Sequence, residues 1–155
     1  MESTISQDVI DKSEAHILKM RKDFSALMRE NEALAIHGDS ITLLDMKDKF
    51  IAFFYNISTT EPRYLELHLI ASDELKAADY EALMSHRKNA ESVKDSEIKA
   101  FFETVVERMK KRITEVNYKS VRNLRDVCQK VIDSIIQRIS VIKKEEFNSR
   151  NTNAA

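Results

Sequence analysis

One glycine and one proline in 155 residues constrain this chain more than any other feature. Antiparallel hairpins, sandwiches and barrels need residues that reach positive φ or break a strand about every ten positions. Helices need special backbone only at their ends. A chain this poor in turn residues therefore reads as all-α. With 43% hydrophobic and 33% charged residues it is too apolar to stay disordered, and its length suits one core. The expected architecture is a helical bundle of four to six helices with a long amphipathic, coiled-coil-like C-terminal region. Residues 1–147 read as a single helical domain, with 85–96 as the place for any sub-boundary, and 148–155 as a disordered tail.

The apolar periodicity places the helices. Thr4-x-x-Gln7 has the form of a capping box, and Ile10, Ser13, Ile17, Met20, Phe24, Leu27, Asn31 and Leu34 then step by three and four. That is a heptad seam with one polar break, Asn31, a residue type that sets register at a cost in stability. Gly38 closes this helix as its C-terminal left-handed residue. Asp39 or Ser40 caps a second helix over about 41–58, carrying Leu43, Met46, Phe50, Phe53 and Ile57 on the seam. A hairpin pairing 50–58 with 64–70 is the competing reading, because FIAFFYNIS is aromatic and β-branched. The 3.6-residue period fits the longer window better.

Thr59-Thr60-Glu61-Pro62 has the composition of a helix start, with a hydroxyl cap and a first-turn proline. A pause is expected at Ser72-Asp73, and residues 73–90 should lie outermost. Ser85–Ser96 is the most polar segment and reads as a loop, with Asp95 or Ser96 capping the next helix. Ile98, Phe102, Val105, Met109, Ile113 and Val116, then Leu124, Val127 or Cys128, Val131, Ile135, Ile139 and Ile142, form one apolar stripe. Neither Gly nor Pro interrupts 97–147. Two outcomes fit: a turn near Asn117-Tyr118 that folds the segment into two antiparallel helices, or one helix of about 50 residues. The latter would be roughly 75 Å long and would need a partner chain to cover it.

Charge supplies the strongest functional signal. The net charge is −1, yet residues 108–125 hold seven basic side chains against one acid, Glu115. On a continuous helix Arg108, Lys111, Arg112, Lys119, Arg122 and Arg125 fall within an arc of about 140°, opposite the apolar stripe. Such a face suits an acidic protein partner or a phosphate backbone. The plainer reading is a solvated face neutralised by acids from 61–81, among them Glu61, Glu66, Asp73, Glu74, Asp79 and Glu81. The heptad seams offer a second contact surface, either packed within the bundle or shared with another chain, with 121–142 the first choice for sharing.

Arg63-Tyr-Leu-Glu-Leu-His68 sets four residues between an arginine and a histidine on a helix of a small all-α domain. This resembles the signature of the HEPN ribonucleases. The resemblance implies a homodimer in which Arg63 stabilises phosphate charge and His68 serves in acid–base chemistry. Tyr64 stands where that family usually has a small polar residue. Read from the residues alone, Arg63 is a first-turn surface residue and His68 packs beside Leu65 and Leu69.

No metal or cofactor is expected. His16, His37, His68 and His86 are scattered, with no Glu-x-x-His pair for a di-iron bundle and no Cys–His cluster for zinc. A haem-binding proximal histidine would have to be His68 or His86, with nothing independent to support either. One glycine excludes a glycine-rich phosphate loop. Cys128 lies on an apolar stripe, so it reads as a buried thiol and not a nucleophile. No apolar run approaches the ~18 residues of a membrane span, and MESTISQDVIDK lacks the hydrophobic region of a signal peptide. The expected setting is cytoplasmic. The reading is a non-enzymatic helical binding or scaffolding subunit, with the HEPN-like ribonuclease as the alternative.

Overall fold

A computed structural model describes residues 5–37, 39–89 and 92–152. The chain is an all-α helical bundle, with four helices among the described residues, α1 (Gln7–His37), α2 (Ser40–Lys88), α3 (Val93–Glu103) and α4 (Val105–Thr152). No strand occurs among the described residues, so the segment 50–58 is helical and the hairpin alternative is set aside.

The helix starts follow from short polar side chains. Ser6 accepts from the Val9 N–H through its hydroxyl at 3.4 Å, ahead of α1. The expected Thr4 cap and the Gly38 terminator lie outside the described residues. Asp39 caps α2, accepting the Thr42 N–H on Oδ1 at 2.8 Å. The backbone and hydroxyl hydrogen bonds from Thr42 hold the Asp39 carboxyl below its ordinary value. Ser92, not Asp95 or Ser96, caps α3: its Oγ accepts from the Asp95 N–H at 3.2 Å and donates to the Asp95 carboxylate. Ser96 instead sits one turn in, fully buried, its hydroxyl bonded to the Ser92 carbonyl at 2.9 Å.

Two boundaries expected from sequence are absent. Residues 59–62 and 72–73 lie inside the 49-residue α2, with Pro62 in its interior. Pro62 has no N–H for the carbonyl one turn back. Its neighbours hold the turn: the Thr59 and Thr60 hydroxyls both donate to the Asn56 carbonyl, at 2.9 and 2.6 Å. The C-terminal region is neither a hairpin at Asn117 nor unbroken from 97. It breaks at Thr104 and then runs as one helix to Thr152, through Asn148–Thr152 of the expected tail; Asn153–Ala155 lie outside the described residues.

The chain divides into two compact units, and α1, α2 and α4 each contribute to both. In the unit made of 18–60 and 122–155, Leu43, Met46 and Phe50 of α2 pack on Cys128, Ile132, Ile135 and Ile139 of α4. Phe24, Leu27 and Leu34 of α1 close the layer, and Phe24 meets Phe50 edge-on at 6.1 Å. Burying side chains of this size stabilises by roughly 1.5–3 kcal/mol each. This half of α4 is thus covered by its own chain, the first of the two alternatives that the heptad seams left open. Asn31 is met inside the unit as well, accepting from Arg138 at 3.4 Å while Arg138 also reaches the Leu34 carbonyl at 3.2 Å. Cys128 is fully buried 3.5 Å from the Phe50 carbonyl, and desolvation pushes its thiol to about 11.

In the unit made of 1–17 and 61–121, Ile5, Ile10 and Ala71 form the core, with Leu67, Ile70 and Ile113 against them. The Ile5 N–H donates to Glu74 at 3.1 Å, fixing the entry to α1. Tyr64 is buried here, and its hydroxyl donates to the Ser13 carbonyl at 3.2 Å.

Candidate functional site

Along α3 and the first turns of α4 the burial pattern inverts the sequence expectation. Ser96, Ala100, Thr104, Thr114 and Asn117 are buried, whereas Ile98, Phe102, Val105, Met109 and Val116 are 47, 69, 39, 59 and 55% exposed. Of the apolar stripe expected over 98–116, only Ile113 packs into the core. The physical reason is that a small hydroxyl residue buries cheaply when its own helix satisfies it. Thr114 donates to the Lys110 and Lys111 carbonyls at 3.0 Å, Ser96 to Ser92, and Thr104 lies within 2.9 Å of the Ala100 carbonyl. Small side chains also let neighbouring helices approach closely. The large apolar residues are left on the outside.

The exposed residues form one face across the α3–α4 junction. Backbone bonds from Thr104 N–H to the Ala100 carbonyl and from Arg108 N–H to the Thr104 carbonyl carry the helical ladder through the break. Positions 98, 102, 105, 109, 112 and 116 therefore follow one another at three- and four-residue steps. Phe101 adds to this face, meeting Phe102 edge-on at 5.8 Å.

A polar cluster pins the junction. Arg108 Nη2 donates to Asp79 Oδ1 at 2.6 Å, and Arg108 Nε donates to the Thr104 hydroxyl at 3.2 Å. That hydroxyl in turn donates to Asp79 Oδ1 at 2.6 Å. The guanidinium lies 4.5 Å over the Phe101 ring, an attractive placement for a cation.

The six basic residues expected to form a contact stripe divide between the two units. In the first, Arg108 is engaged as above, and Lys119 pairs with Glu115 one turn back, which holds the Glu115 carboxyl below its ordinary value. Lys111 is half-buried beside the same glutamate, and Arg112 is exposed between Met109 and Val116. In the second unit Arg122 is exposed, and Arg125 reaches its sequence neighbour Asp126 at 2.8 Å. Of the acids in 61–81, Asp79 bonds directly to the stripe. Sequence reasoning found the basic stripe and missed the exposed apolar face beside it. Its signal was the run of Ser and Thr at core spacing.

Arg63 and His68 both lie on α2, but five residues apart, about 140° around the helix. His68 stacks on Tyr118 with ring centroids 6.5 Å apart and planes within 3°. Arg63 lines a different place, a cleft of about 230 Å³ formed with Lys12, Ser13, His16 and Tyr64. Within one chain the two residues are not brought to a common cavity. His86 reaches Glu103 with Nε2 at 2.9 Å. Among the described residues no group of three or more His, Cys, Asp or Glu side chains is placed to hold a metal ion, and no helix is long and apolar enough to cross a membrane.

The described residues form an all-α bundle with an exposed apolar face at the α3–α4 junction. No protein-family model, curated protein or solved structure matches the chain.

Proposed function

We propose that the chain is a non-enzymatic binding subunit of a larger assembly, and that it contacts a protein partner through the α3–α4 face of its first unit. The observation that carries this reading is the exposure of Ile98, Phe102, Val105, Met109 and Val116 in a line, over a core built from Ser, Ala, Thr and Asn. A contiguous exposed apolar face of this kind marks an interaction surface more often than a random scatter of apolar residues does. Arg112 sits within the line and Lys119 continues it at the same spacing. The complementary ligand is therefore an amphipathic helix that lays apolar residues on Phe102, Met109 and Val116 and flanks them with acids. The engagement of Arg108, Lys119 and Arg125 by neighbouring carboxylates favours such a partner over a nucleic-acid backbone, which needs many free cations.

The test replaces Phe102 and Met109 together by serine. Sedimentation of each form gives the self-associated mass, and quantitative co-purification from the native host gives the bound proteins. A partner, or a dimer, present with the wild type and lost with the folded variant is the expected result. The same mass and the same bound proteins with both forms would refute the assignment. Metal-free RNA cleavage by a dimer, lost on Arg63→Ala, would instead establish the ribonuclease that the resemblance implies.

A further inference from the structure

The cleft between α1 and α2 in the first unit has a chemistry unlike the α3–α4 face. Its five lining residues are Lys12, Ser13 and His16 from α1 and Arg63 and Tyr64 from α2. Lys12 and His16 stand one turn apart on α1, so both side chains leave the helix on the same side. Arg63 and Tyr64 line it side by side on α2, the arginine exposed and the tyrosine buried.

Hydrogen bonding fixes the histidine. The Tyr64 hydroxyl has one proton, and it donates to the Ser13 carbonyl at 3.2 Å. His16 Nδ1 lies 3.0 Å from that hydroxyl, and in the tautomer that carries its N–H on Nε2 it accepts from the same proton. The rings stack, with centroids 6.2 Å apart and planes at 21°. A histidine held through Nδ1 leaves Nε2 as the nitrogen that can meet a ligand. Burial raises the Tyr64 hydroxyl above its ordinary value, so it remains a neutral part of this relay.

We infer that this cleft binds a phosphoryl dianion, either inorganic phosphate or a small phosphate monoester. Arg63 supplies a planar fork suited to two phosphate oxygens. Lys12 supplies a point charge from the facing helix, and His16 Nε2 supplies a third group. One of the cationic groups already has a carboxylate partner, Asp8, which pairs with Lys12 at 2.6 Å. An ammonium carries three donors, so Lys12 can keep that bond and still face the ligand. At about 230 Å³ the cleft is several times the ~30 Å³ of a water and smaller than the ~300–1,000 Å³ of sites for larger ligands. A phosphoryl group on a short alcohol fits that space.

The experiment titrates the full chain with inorganic phosphate, glycerol phosphate and acetate, read by calorimetry and by the His16 imidazole resonances. Saturable phosphate binding that moves the His16 signals, with acetate much weaker, is the expected outcome. Tighter binding of glycerol phosphate than of phosphate would assign the site to a monoester, and equal binding to the free ion. Arg63→Gln should weaken binding about tenfold or more. Arg112→Gln, on α4, should leave it unchanged. Lys12→Gln provides a second exposed position should Arg63→Gln fail to fold. Absence of a saturable His16 response, acetate bound as tightly as phosphate, or equal losses from the Arg63 and Arg112 variants would each overturn the inference.

Discussion

Asp79 Oδ1 receives Arg108 Nη2 at 2.6 Å, which ties the last third of α2 to the first turn of α4 at the point where the helical chain breaks. The Thr104 hydroxyl completes the arrangement by donating to that oxygen and accepting from Arg108 Nε. Thr104→Val keeps the shape and removes the hydroxyl, so it should cost about 1 kcal/mol. A urea titration should show a lower midpoint with an unchanged slope. An unchanged midpoint would mean that the threonine contributes nothing to the junction.

The two halves of the apolar stripe should respond in opposite ways to a charge. Ile135 is fully buried in one cluster with Leu43, Met46 and Phe50, whereas Met109 is 59% exposed. Ile135→Asp buries an unpaired carboxylate and should lower stability by more than about 3 kcal/mol, or prevent folding. Met109→Asp should stay within about 0.5 kcal/mol of the wild type. Thermal melts of the two proteins check this, and a collapse of the Met109 variant would show that this face is packed.

Cys128 gives an alkaline limit. Its thiol is raised from 9.0 to about 11 by desolvation, so the neutral form is favoured by folding. The raised folded value means that this contribution is complete below pH 9.0 and is lost as pH rises from 9.0 toward about 11. Cys128→Ala should be less stable at neutral pH, because it leaves a small cavity, and should show a shallower decline across that window. Thiol reagents at pH 8 should modify the wild type only as fast as it unfolds.

Nucleic-acid affinity should be weak. Reversal of Arg112 and Lys119 to Glu should lower stability by no more than about 1 kcal/mol, since both side chains are exposed and only the Lys119–Glu115 pair is lost. Anisotropy with labelled RNA or DNA at low salt should show little binding to the wild type. Tight binding that falls steeply with salt, and disappears in the double variant, would replace the protein partner by a phosphate backbone.

The fold class, the α1 seam from Ile10 to Leu34 and the core positions Leu43, Met46, Phe50, Cys128, Ile135 and Ile139 were legible in the sequence. They were legible because three- and four-residue spacing and the scarcity of glycine and proline act locally. Helix ends were less so. Thr59-Thr60-Glu61-Pro62 has every local mark of a start, yet α2 runs on through it, with Ile57 and Tyr64 buried on either side. The face that α3 and the start of α4 bury was decided by the tertiary structure alone. Periodicity selects the most apolar stripe, but the side chains buried there are Ser96, Ala100, Thr104, Thr114 and Asn117, and hydroxyls satisfied by carbonyls of their own helix are buried at little cost. Helical spacing parts Arg63 from His68, and the meeting of α1 with α2 brings Arg63 to the cleft that His16, 47 positions away in the chain, also lines, a pairing that no local spacing encodes.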